Sequence, residues 1–274
     1  MINTIHSVNF LLPILYLFTF AIYIYDFFKD ESKVYNTKRV LLFVTLFIHV
    51  LYLLLRTIEF NHPPITNKFE IFTVLAFSLG FAYFLLELLT DIRGTGAFII
   101  LFSLIFQIVS SIFIQDLVEV KEVLRSKLLG VHVMSALLGY SGFTIAAVHG
   151  VLFFLLYKDI KLNKYGLVFK RLPSLEILEK LNFYSVVIGF ILLTISMLIG
   201  FLWLPSAFPD FSYSDPKLIS VSIVWLVFFI GILSKLIAKL YGKKVIIFSL
   251  VGFVVAIISL LMSNLIADTF HSFY

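Results

Sequence analysis

Eight stretches of this 274-residue chain are each long and apolar enough to cross a lipid bilayer. They run roughly over 5–28, 40–58, 70–90, 95–115, 128–157, 182–204, 217–238 and 244–266. A helix needs about 20 mostly apolar residues to span the hydrocarbon. Within that layer every backbone N–H and C=O must be satisfied inside the protein, which leaves helices or a closed barrel. The runs lack the alternation and regular turn spacing of barrel strands. The expected fold is therefore all-α, a polytopic membrane helix bundle read as one transmembrane domain over residues 1–274. The first run has no basic segment before it and no small-residue cleavage site, so it reads as a retained span. The fifth run is longer than a span requires, which predicts tilt or projection beyond the bilayer.

Hydrophobic residues make up 61% of the chain and charged residues 14%, with a mean hydropathy of +1.07. Soluble chains carry about a quarter charged residues, so a soluble fold is excluded. The net charge of +5 would suit a nucleic-acid binder, but the basic residues lie between the apolar runs and no nucleic-acid motif is present. With no cysteine, the chain has no disulfide, no thiolate cluster ligand and no thiol chemistry of its own.

The basic residues set the expected orientation. Of 21 Lys and Arg, 15 fall in the loops after the first, third, fifth and seventh runs and 6 elsewhere. Basic loops stay on the cytoplasmic side, which predicts both termini outside and a multi-pass protein of an inner, cytoplasmic-type membrane. Two loops read as short interfacial helices or as plain connections at headgroup level. Outside, 115–127 places Leu117, Val120, Leu124 and Leu128 on one face. Inside, Ser174 can cap a turn carrying Leu175, Leu178 and Leu181.

Few groups in the runs can carry chemistry. Asp26, Glu59 and Glu87 sit near run ends, where snorkelling or headgroup contact explains them, and this scarcity of acids disfavours a proton-coupled transporter. Of the six histidines, His6, His62, His132 and His271 fall on the predicted outer side, while His49 and His149 lie within runs. His49 is ten residues past Arg39 and His149 nine before Lys158. Both therefore lie roughly 14 Å above the inner boundary, at about 1.5 Å per residue. An intramembrane imidazole needs a hydrogen bond or a metal. Helix-to-helix bonding is one reading, and shared ligation of a flat apolar macrocycle such as heme is the other. Ala136, Gly139, Gly142, Ala146 and Gly150 in the fifth run allow a close helix neighbour or leave room for such a ligand.

From His132 onward, LLGVHVMSALLGYSGFTIAAVHGVLFFLLY resembles a span of the heme-handling cytochrome c assembly proteins of the CcsA type and their HemX relatives. RLPSLEILEKLNFYSVVIGFILLTISMLIGFLWLP is similar to the loop and span that follow there. SYSDPKL resembles the end of the family's outer Trp-rich segment, TFHSFY its His-containing C-terminus, and HPPITNKFE the outer loop before span three. The resemblance covers residues 60–274 and implies a function, which is to present heme b at the outer face during c-type cytochrome assembly. It also implies His132 and His271 as heme-iron ligands, with Asp215, Lys217, Tyr213 and Trp225 in the segment that cradles heme. Lys217 is placed to meet a propionate. Implied partners are a CcsB-like membrane protein and an apocytochrome c, alongside the lipid bilayer. Phe208, Phe211 and Tyr213 replace tryptophans of that segment, and Leu233 stands where full-size members carry an intramembrane histidine. These departures point toward the HemX branch and keep open a second expectation, a membrane regulator of heme biosynthesis. No residue of the chain is an expected catalyst; a role in attachment would be to orient heme.

Overall fold

The computed structural model describes residues 1–29, 32–207 and 212–265, the side chains at 32–33, 206 and 261–265 excepted. Among these residues there is no strand. The helices are α1 (Ile2–Lys29), α2 (Ser32–Phe60), α3 (Lys68–Thr90), α4 (Gly96–Phe113), α5 (Lys127–Lys161), α6 (Leu167–Arg171), α7 (Leu175–Ala207), α8 (Pro216–Leu236) and α9 (Lys243–Leu265). All except α6 are long and apolar enough to cross a membrane. Large apolar side chains face outward along them, Phe10 at 74% exposure and Leu202 at 82% among others. Such an outer surface is stable only against lipid. The protein is a multi-pass membrane protein.

Two helices begin earlier than the apolar runs suggested, because paired charges are tolerated inside them. α2 starts at Ser32 and takes in Lys38 and Arg39. α7 starts at Leu175, where Glu176 pairs with Lys180 one turn on and Glu179 accepts from Lys235 Nζ and Gly242 N, each at 2.8 Å. The segment after Ser174 is thus the first turns of α7, with Leu178 and Leu181 buried. A single 3₁₀ turn at Glu122–Arg125 is found in 115–127 where an amphipathic helix was an option. Contacts to the preceding residues hold them in irregular backbone: His62 reaches the Leu117 carbonyl at 2.9 Å and Arg56 the Gln115 carbonyl at 3.2 Å.

The chain forms two compact units. The first comprises 1–130 with 163–173. In it α1 packs on α2 and α4, and α3 closes the ring between α4 and α2. Asn67 starts α3 by accepting from the Phe69 and Glu70 amides, and Asp91 ends it in the left-handed conformation. At Gly94, φ is +89° and an added Cβ would lie 2.2 Å from the Arg171 carbonyl, so only glycine fits there.

Asp26 and Glu87 are not snorkelling, in contrast to the reading from their position in the runs. Lys38 lies between Asp26 at 2.7 Å and Glu87 at 3.3 Å, Tyr23 donates to Glu87, and Arg39 bonds Asp91. At the opposite end Arg56, 1% exposed, holds Glu70 and Asp116, both at 2.8 Å. Glu70 also accepts from the Thr66 amide and hydroxyl. Buried charges persist only when paired in this way.

The second unit comprises 131–162 and 174–274. Its core joins Phe143 and Ala146 of α5, Val186 and Leu193 of α7, Val224 and Phe228 of α8 and Ala256 of α9. The Phe143 and Phe228 rings stack with centroids 3.7 Å apart. The small residues of the fifth span serve close packing: a Cβ at Gly142 would lie 2.9 Å from the Gly189 Cα on α7.

Candidate functional site

In the second unit, α5 begins, α7 ends and α8 begins at the same end. His132 lies in the second turn of α5, on the side facing α7. Its Nδ1 lies 2.8 Å from the Ser196 carbonyl, and Ser196 Oγ donates back to the His132 carbonyl at 2.9 Å. Nε2 of His132 has no hydrogen-bond partner among the described residues, and the residue is partly buried. The Lys217 ammonium on α8 lies within electrostatic reach of the imidazole. No carboxylate pairs with it among the described residues: the nearby Asp215 uses Oδ1 to cap α8, accepting from the Lys217 amide at 2.8 Å.

The remaining expected residues divide clearly. Asp215 followed by Pro216 forms the turn and cap that start α8. Tyr213 is 64% exposed beside that cap, its ring stacked on Phe201. Trp225 packs between Phe190 and Phe229, and its Nε1 donates to Thr194 Oγ1 at 2.8 Å, two residues from Ser196. His271, Phe208 and Phe211 lie outside the described residues.

The two intramembrane histidines fall in different units and in different surroundings. His49, in the first unit, is fully buried, with Nδ1 3.0 Å from Tyr16 Oη and Nε2 3.0 Å from Thr73 Oγ1. The chain continues through Gln107 and Ser111 to the Asn9 carbonyl. No ring nitrogen of His49 is left for iron in this arrangement. His149, in the second unit, is equally buried; neither ring nitrogen meets hydrogen-bond geometry, the Ile145 backbone one turn back being a weaker contact. An axial ligand needs a free imidazole nitrogen, so His132 and His149 fit the group and His49 does not.

The reading of run-end acids missed Lys38, Arg56 and Glu70, which the fold buries as paired charges. Spacing offered a signal only after the fact, since each lies within two turns of a helix end.

The model of cytochrome C assembly proteins matches residues 1–271. The chain belongs to that family. The match extends to the N-terminal 60 residues, beyond the stretch where single motifs are similar. The cytochrome c biogenesis protein CcsA of Chlamydomonas reinhardtii is 29% identical over 256 residues, covering 89% of this chain and 71% of that protein. CcsA of Mesostigma viride is 25% identical over 251 residues, with 83% and 82% covered. HemX of Brevibacillus brevis is 25% identical over 197 residues, with 69% and 70% covered. Membership was thus legible in the His132 stretch. The partners of His132 and His49 were not, since residues 64 and 24 positions away supply them.

Proposed function

We propose that this family member handles heme during c-type cytochrome assembly, holding it at the end of the second unit where His132 and Lys217 meet. The observation that carries the reading is an imidazole whose Nε2 has no partner among the described residues, beside a half-buried ammonium that makes no ion pair among them and has only Asp215 as a nearby carboxylate. Such a pair suits a ligand with a metal centre and anionic arms, as heme b has in its iron and propionates. His132 and His271 would hold the heme iron, Lys217 would meet a propionate, and Tyr213 would belong to the segment that cradles the group. Asp215 and Trp225 act through the fold, the first by setting the start of α8 and the second by holding α8 against α7. His149 is the imidazole available for a ligand within the membrane.

The site faces the outside in this proposal, with both termini on the same side, in an inner, cytoplasmic-type membrane. The 15-to-6 bias of basic residues supports that orientation. A CcsB-like membrane protein and an apocytochrome c are the proposed partners. The HemX relatives support a second reading, regulation of heme biosynthesis.

The test is heme content and absorbance of the purified full chain. Wild type should co-purify with heme, and His132→Ala and Lys217→Met should each retain less, with imidazole in the buffer restoring the His132→Ala spectrum. Equal heme and identical spectra in all three would overturn the site. Alkaline phosphatase fused at the C-terminus should be active; an inactive fusion would put the site on the cytoplasmic side. Loss of c-type cytochromes in a deletion strain, with heme synthesis intact, would separate assembly from regulation.

A further inference from the structure

α7 touches His132 at three points, and together they decide which ring nitrogen is open. A backbone carbonyl only accepts, so the 2.8 Å contact from Nδ1 to the Ser196 carbonyl requires the proton on Nδ1. The Ser196 hydroxyl gives its own proton to the His132 carbonyl at 2.9 Å, which leaves its oxygen, 3.2 Å from Nδ1, as a second acceptor for the same N–H. One turn further along α7, an added Cβ at Gly200 would lie 3.0 Å from Cε1 and 3.3 Å from Nδ1 of the ring. A flipped ring would turn a carbon toward the Ser196 carbonyl and forfeit the bond.

We infer that Ser196 and Gly200 of α7 are positioning residues for His132, fixing the ring with the proton on Nδ1 and the lone pair of Nε2 open to a metal. The inference rests on the heme reading for what occupies Nε2, but the tautomer itself does not. A histidine that ligates a metal needs its second nitrogen held by an acceptor, which sets the ring's direction and makes the ligating nitrogen more basic. Here the acceptor is a main-chain carbonyl in a transmembrane helix. No side-chain substitution removes it directly, and the orientation follows the packing of α7 on α5. Gly200 acts through space: a Cβ there would press on the imidazole and require it to shift by a few tenths of an ångström against its bond to the carbonyl.

The experiment uses the full chain in detergent with ¹⁵N-labelled histidine, and His132→Gln identifies the His132 signal by its loss. Wild type stripped of heme should show His132 protonated on Nδ1 and bare on Nε2. Gly200→Ala should give mixed tautomers, and with heme added it should retain heme about tenfold less tightly or worse, the range for lost outer-shell partners. Free imidazole should restore the spectrum of Gly200→Ala, as it does not for a variant that has lost its fold. Nε2 protonation in wild type would overturn the positioning role whatever heme does, and needs no variant that might misfold. A wild-type tautomer as expected, with heme binding indifferent to His132→Gln, would overturn the heme reading and leave the α7 lock standing.

Discussion

The direction of the hydrogen bond between His49 and Thr73 is set by a carbonyl three side chains away. Ser111 Oγ donates to the Asn9 carbonyl, so it must accept from Gln107 Nε2. Gln107 then presents Oε1 to Thr73, whose single hydroxyl proton is committed there at 2.8 Å. Thr73 Oγ1 can only accept from His49, which therefore donates from Nε2 and receives Tyr16 Oη at Nδ1. Four helices of the first unit are joined by this buried relay. It ends on a carbonyl that passes no proton onward, so its role is to hold the bundle in register.

His49→Ala should lower stability by about 2–4 kcal/mol, since it opens a cavity and removes the acceptor of Tyr16 and the donor to Thr73. Heme per protein should stay at the wild-type value. Thermal melting in detergent and heme-to-protein ratio measure both. Heme loss at unchanged stability would show that His49 is a ligand after all.

Arg56→Met should cost about 3–5 kcal/mol, because it strands the buried Glu70 carboxylate and frees Asp116 at one stroke. Adding Glu70→Gln should recover part of the loss. Denaturant titration of the single and double variants checks the coupling; additive losses would contradict the shared network.

Acid should loosen the same end of the first unit. Burial pushes the Asp116 carboxyl up, but hydrogen bonds from His6 and Arg56 more than offset this and hold it below the usual carboxylate range. A depressed carboxylate stabilises the fold above its unfolded pKa, and the gain disappears as pH falls through the folded one. The melting temperature should therefore drop below about pH 4. Asp116→Asn should be less stable at neutral pH and show a shallower acid dependence.

His149→Leu should raise the melting temperature of heme-free protein, since both of its buried nitrogens lack partners and an apolar side chain of similar size needs none. If wild type carries heme at this position, the same variant should lose that part of the absorbance. A destabilised heme-free variant would mean the imidazole is bonded within the second unit.

The sequence by itself determined that this chain folds as membrane helices and where most of them lie, because hydrocarbon leaves helix as the only conformation for runs such as 70–90 and 217–238. It also determined the family, through the His132 stretch, and the start of α8, through the local signal of Asp215 before Pro216. Tertiary structure decided how the polar groups inside those helices are used. His49 and His149 look alike in sequence, each an imidazole at matching depth in an apolar run. Yet one is flanked by Tyr16 and Thr73 from other helices and the other by no acceptor in bonding geometry. Lys38 and Arg56 could be placed inside helices only because Asp26, Glu87, Glu70 and Asp116 arrive from elsewhere in the chain to pair with them. Hydropathy is a sum over neighbours along the chain, whereas hydrogen bonds and ion pairs depend on which helix lies alongside, and only packing sets that.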